Sequence, residues 1–143
     1  MKTDTVMMIL SDISNFNLGM FGISITVFTV LYAFILSRKD SLRELNNIIK
    51  SGNNSPALIQ KTSFFLAHTT KWKRLNQHLK YLATISIFLF FAATILKYIY
   101  YAEENKSLIN LVWLLVILTF LVAAYILVVL ALVLKNYNKT TNF

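Results

Sequence analysis

The chain has 143 residues and no cysteine, which excludes disulfides, thiolate metal sites and cysteine nucleophiles. Hydrophobic residues make up 57% of it and charged residues only 14%, at a mean hydropathy of +0.60, more apolar surface than a soluble chain of this length could hide. The net charge of +8 is then the positive-inside bias of a membrane protein and not the footprint of nucleic acid, which is not expected as a partner.

The expected fold class is an all-α integral membrane protein with three transmembrane helices and a cytoplasmic helical hairpin between the first and second. Residues 1–17 form an extracytoplasmic N-terminal segment. In it Val6, Ile9, Leu10, Ile13 and Phe16 recur at helical spacing, with Ser11, Asp12, Ser14 and Asn15 opposite. That pattern suits a short amphipathic helix lying in the membrane interface, or a frayed terminus. Lys2 is the one early base, and the first short apolar run breaks at Ser11 and Asp12, so no signal peptide is read here and the first span is expected to be retained.

Residues 18–36 are the first transmembrane helix, with no charge inside. Gly22, Thr26, Thr29 and Ala33 share a narrow stripe, with Gly19 at its edge. Small residues let helix backbones approach closely where no hydrophobic effect drives association. The stripe is a packing face, either within the chain or between chains.

Residues 37–81 are the basic hairpin. Arg38, Lys39, Arg43, Lys50, Lys61, Lys71, Lys73, Arg74 and Lys80 stand against Asp40 and Glu44. A first arm presents Leu42, Leu45 and Ile49 on one face; Gly52 suits its C-cap, and Ser55 and Pro56 suit the N-cap and first position of the second arm. In that arm Leu58, Phe65, Trp72 and Leu79 are seven residues apart, accompanied by Lys61, His68, Leu75 and Leu82. Leu58, Phe65, Trp72, Leu75 and Leu79 are therefore the candidate hairpin interface. The second arm would rise about 39 Å and the first about half that, leaving a face of the longer arm for a neighbouring subunit.

Residues 82–100 are the second transmembrane helix, with a bulky stripe of Phe88, Phe91, Ile95 and Tyr98. Tyr81 at one end and Tyr98, Tyr100 and Tyr101 at the other suit interfacial anchors, and Lys97 is placed to snorkel towards headgroups or, in an assembly, to line a pore. A short extracytoplasmic loop, 101–107, forces an antiparallel pair with the third transmembrane helix, 108–134. There Asn110 suits a cap or a headgroup contact, Trp113 lies near the outer end, and Thr119 and Ala123 offer a small packing patch. Residues 135–143 are a cytoplasmic tail. The hairpin and tail carry eleven bases against three elsewhere (Lys2, Lys97 and Lys106), which places the N-terminus outside and the C-terminus in the cytoplasm.

No catalytic or phosphate-loop motif occurs, and His68 and His78 sit about 15 Å apart along one helix, too far to share a metal. An enzyme, a cofactor and a metal site are not expected. A monomer offers no polar pathway; in an assembly the hydroxyls of Ser24, Thr26, Thr29, Thr84, Ser86, Thr94 and Thr119 could line one, or each could bond a carbonyl of its own helix. Lys71, Lys73 and Arg74 around Trp72 form a basic patch, read as a solvated flank, a headgroup dock or a phosphate-ligand site. Expected partners are membrane lipids, further copies of the chain and a cytoplasmic protein. The layout resembles that of the ExbB, TolQ and MotA type of stator protein in having an outside N-terminus, one helix, a cytoplasmic helical section and a tight helix pair. Those proteins have larger cytoplasmic parts and glycine-containing last helices, so no residue role carries over. The expected function is a small oligomeric bacterial inner-membrane protein that forms or gates a pore as a membrane-perturbing effector. The alternative is a non-conducting accessory subunit that anchors or regulates another protein.

Overall fold

The computed structural model describes residues 2–52, 55–102 and 105–141, and among them the elements are three helices: α1 (Thr3–Lys50), α2 (Pro56–Ala102) and α3 (Lys106–Thr141). All three are long and apolar enough to cross a membrane, the architecture of an integral membrane protein. At 48, 47 and 36 residues each outruns a hydrocarbon core of about 30 Å, so each also carries structure beyond a span. The chain has one proline, Pro56, at the first position of α2, and so nothing breaks the long helices internally.

The end of α1 is capped locally. Gly52 takes φ 97°, a left-handed conformation that only glycine adopts freely, while its N–H donates to the Ile49 carbonyl at 3.2 Å. Ser55 caps α2 by accepting from the Leu58 N–H at 3.2 Å. At α3 the capping residue is Asn105, whose Oδ1 accepts from the Ser107 N–H at 3.2 Å; Asn110, expected to reach headgroups or to cap, lies a turn inside the helix and is exposed. The asparagines of the α1–α2 turn and Glu103 and Glu104 lie outside the described residues.

The chain divides into two compact units. The first comprises the described residues of Met1–Ile25 and Leu79–Phe143 and holds stretches of all three helices. Most of its inward residues follow one pattern, with Ser14 and Ala83 buried beside it. On α1 they are Val6, Leu10, Ile13, Asn17 and Ser24; on α2, Leu79, Leu82, Ser86, Leu89, Ala93, Leu96 and Tyr100; on α3, Val112, Leu115, Thr119, Val122, Ile126 and Val129. Alternating steps of three and four residues make a seven-residue seam on each helix, the pattern of left-handed knobs-into-holes packing. The large side chains face the other way: Phe88 and Tyr98 are each 73% exposed and Phe120 is 72% exposed. A soluble protein would not tolerate so broad an apolar surface, whereas lipid solvates it.

This unit revises the reading of the N-terminus. Residues 5–16 are not a separate interfacial helix but the first turns of α1. Val6, Leu10 and Ile13 are buried within the unit; of the polar side read from sequence, Ser11 and Ser14 bond to α2 while Asp12 and Asn15 are exposed, and Asn17, just beyond it, bonds to α3. The pairs Ser11–Lys97 and Ser14–Thr94 fix an antiparallel register in which the segment lies against the C-terminal half of the second apolar run.

The second unit, Thr26–His78, is an antiparallel pair made by the later half of α1 and the earlier half of α2, as the pairings Phe34–Trp72 and Arg38–Phe65 require. Its inward line on α1 runs Leu31, Arg38 and Leu45 at sevens; on α2 it runs Leu58, Phe65 and Trp72. The accompanying positions on α2 are Thr62, Thr69 and Asn76, with Leu75 also buried, while Lys61 is exposed and His68, half-buried, stacks on Phe64 at 4.9 Å. The two arms are also not unequal in the expected way. Phe34, in the first apolar run, meets Trp72 edge-on at 5.5 Å between centroids, and Trp72, Leu75 and Asn76 are buried. Trp72 on the longer arm is thus met by Phe34 of α1, earlier in the chain than the expected first arm began.

Candidate functional site

Three arrangements bear on function. The first is a polar line inside the three-helix unit. Lys97 Nζ donates to Ser11 Oγ at 2.6 Å, so the ammonium turns to α1 and does not simply snorkel outward. Ser14 Oγ and Thr94 Oγ1 share a bond of 3.2 Å, and Thr94 also donates to the Phe90 carbonyl at 2.8 Å. Asn17 Nδ2 donates to Thr119 Oγ1 at 3.0 Å and to the Ile13 carbonyl at 2.9 Å, tying α1 to α3. Within this unit Asn17 Oδ1, Ser24 Oγ and Ser86 Oγ are buried with no hydrogen-bond partner, as is Asn76 Oδ1 in Thr26–His78. Polar atoms left bare at membrane depth are costly, so the line trades stability for definition of the register.

The candidate pore-lining hydroxyls separate accordingly. Ser24, Ser86 and Thr119 are buried inside the unit and Thr94 is half-buried, while Thr26, Thr29 and Thr84 are exposed. Thr84 donates to the Lys80 carbonyl at 3.0 Å, within its own helix.

The second arrangement is the small-residue stripe of α1. Gly19, Gly22, Thr26, Thr29 and Ala33 are all exposed, and a Cβ placed on Gly19 or Gly22 would meet nothing within 4 Å. The chain packs through the opposite side of α1, leaving its smallest face outward. The sequence showed the stripe but not which way it turned. Within each compact unit the stripe residues lie on the exposed side of α1.

The third arrangement is the aromatic and basic band of Thr26–His78. Of the hairpin residues, Trp72, Leu75 and Leu79 are buried and Leu58 and Phe65 half-buried. Lys71, Lys73 and Arg74 are exposed around Trp72. The residue that sequence reasoning passed over is Arg38. It was counted only as one base among many, yet its guanidinium carbon lies 5.1 Å from the centre of the Phe34 ring and 4.9 Å from that of Phe65. Its place seven residues after Leu31 was the available signal.

The fold and these faces define a three-helix integral membrane protein with a polar interior line and an outward small-residue face. The chain matches no family model, no curated protein and no solved structure.

Proposed function

We propose that the protein is a small inner-membrane protein of bacterial type that assembles from several copies, and that the assembled spans form or gate a pore, with 37–81 as a cytoplasmic helical hairpin serving assembly or signal sensing. The observation that carries this reading is the outward stripe of Gly19, Gly22, Thr26, Thr29 and Ala33. Small residues facing lipid gain little there, but between helices they permit close backbone approach, and Thr26 and Thr29 on that face supply hydroxyls where copies would meet. The excess of bases in 37–81 and the tail supports the cytoplasmic placement.

Native mass spectrometry of the extracted protein tests the assembly. A discrete multiple of 16.4 kDa that falls to the monomer in Gly22→Leu supports it, and conductance recordings on Thr26→Val and Thr29→Val then address the pore. A wild-type monomer defeats the pore reading and directs the search to a different partner chain, the accessory-subunit alternative. Orientation is read from Asn53→Cys, which should resist impermeant thiol reagents in intact cells; ready labelling there contradicts the proposed topology.

A further inference from the structure

We infer that Arg38 is the centre of a binding site for the phosphate of an anionic phospholipid headgroup. The side chain is half-buried at an inward position of α1, its guanidinium carbon 5.1 Å from the centre of the Phe34 ring and 4.9 Å from that of the Phe65 ring. Ring contacts of this kind hold a guanidinium through its face and fix its plane. The N–H donors lie in that plane, in the fork geometry that fits two oxygens of a phosphate. A cation whose rotamers are already restricted by packing loses little entropy on binding.

Charge and surface select the ligand class. Thr26–His78 carries eight Lys and Arg (Arg38, Lys39, Arg43, Lys50, Lys61, Lys71, Lys73 and Arg74) against Asp40 and Glu44, so 8 − 2 = +6 of the chain's +8 lies in this unit. Soluble phosphate ligands and lipid headgroups share the phosphate chemistry, but the surroundings of Arg38 favour the lipid. Tyr32, Leu36, Phe64 and Leu66, within the adjoining turns of the two arms, are exposed. A surface both apolar and basic suits the boundary between acyl chains and headgroups. Arg38 also follows the last residue of the first apolar run by two positions, the depth at which phosphates lie. The inference rests on the membrane placement of that run and is independent of whether the protein forms a pore.

The test uses the full chain in detergent, titrated with phosphatidylglycerol, phosphatidylcholine of the same acyl chains, or inorganic phosphate, and read by native mass spectrometry as lipid retained per subunit. Phosphatidylglycerol should be retained where phosphatidylcholine is stripped. Arg38→Gln should weaken its retention about tenfold, the loss of a charge-assisted hydrogen bond. Arg38→Lys keeps the charge and the fold but loses the planar fork, and should also weaken retention; Lys50→Gln, at the far end of α1, should not. Wild-type retention in Arg38→Lys overturns the site in favour of diffuse charge. Displacement of the lipid by millimolar inorganic phosphate overturns the lipid as its ligand. Because retention is counted per subunit, a monomeric protein that still holds the lipid would refute the pore reading and leave this inference standing.

Discussion

Lys97 and Ser11, 86 positions apart in the chain, are joined by a hydrogen bond of 2.6 Å between an ammonium and a hydroxyl. The pair sits in a partly buried place in a unit whose outer surface is apolar, so the charge depends on its few polar neighbours. Ser11→Ala should therefore destabilise the protein by about 1–3 kcal/mol, the usual cost of stripping a partner from a charged group. Lys97→Met removes the charge along with its need for a partner and should restore stability to Ser11→Ala. Thermal melts of the three variants in one detergent check this; an additive double variant would mean that the bond contributes nothing.

Asn17 and Thr119 make the hydrogen-bonded tie between α1 and α3 at 3.0 Å, in a place that is closed to solvent. Interhelical bonds of this kind in membranes are modest, about 0.6 kcal/mol on average and at most about 1.7. A double-mutant cycle with Asn17→Leu and Thr119→Val, followed by denaturing-detergent titration, should give a coupling in that range. Zero coupling would show that packing alone sets the α1–α3 register.

Inside and outside of the spans should respond oppositely to the same change. Ser86 is fully buried, so Ser86→Leu overfills the seam and should cost about 1–3 kcal/mol. Gly22→Leu adds its side chain where a Cβ meets nothing within 4 Å and should leave the stability of the single chain nearly unchanged while altering self-association. Measuring melting and particle mass on both variants separates the two effects. A Gly22→Leu chain as unstable as Ser86→Leu would place the stripe inside.

Helix type, the three spans, the Gly52 stop and the Ser55–Pro56 start were legible because each rests on local chemistry: apolar run length, a left-handed glycine, a hydroxyl cap. Registers between helices were not, because they are set by side chains far apart in sequence. Ser11 and Ser14 look water-facing when only 5–16 is considered; they turn inward because Lys97 and Thr94 offer polar partners, and Asn17, just beyond that stretch, meets Thr119. The same limit hid Trp72's partner. Phe34 lies in an apolar run and Trp72 in a basic segment, and hydropathy alone assigns them to different environments although their rings meet. The repeat at Leu58, Phe65, Trp72 and Leu79 did show through, and it continues in the structure as Ser86, Ala93 and Tyr100. Sequence reading lost the thread where small and polar residues replaced the apolar ones.

Within Thr26–His78, Trp72 should matter far more than the bases around it. It is 4% exposed and packs on Phe34, so Trp72→Ala should cost about 3–5 kcal/mol and raise hydrogen exchange through the pair of arms. Lys73→Ala, an exposed change, should stay within about 0.5 kcal/mol. Equal exchange in both variants would mean that the Phe34–Trp72 contact is not formed in solution.

The register of the three-helix unit can be tested directly because the chain has no cysteine to give background. Ser14 Oγ and Thr94 Oγ1 are 3.2 Å apart, so the two side chains meet, and Ser14→Cys with Thr94→Cys is the pair to cross-link. Mild oxidation in isolated membranes should link that pair within each chain. Ser14→Cys with Thr84→Cys is the control, since ten residues along α2 correspond to about 15 Å, beyond any disulfide. An interfacial helix over 5–16 would lie along the membrane plane and link to neither. Linkage of the first pair alone therefore establishes that α1 enters the bundle from its first turns, while linkage of the control pair would shift α1 by nearly three turns against α2.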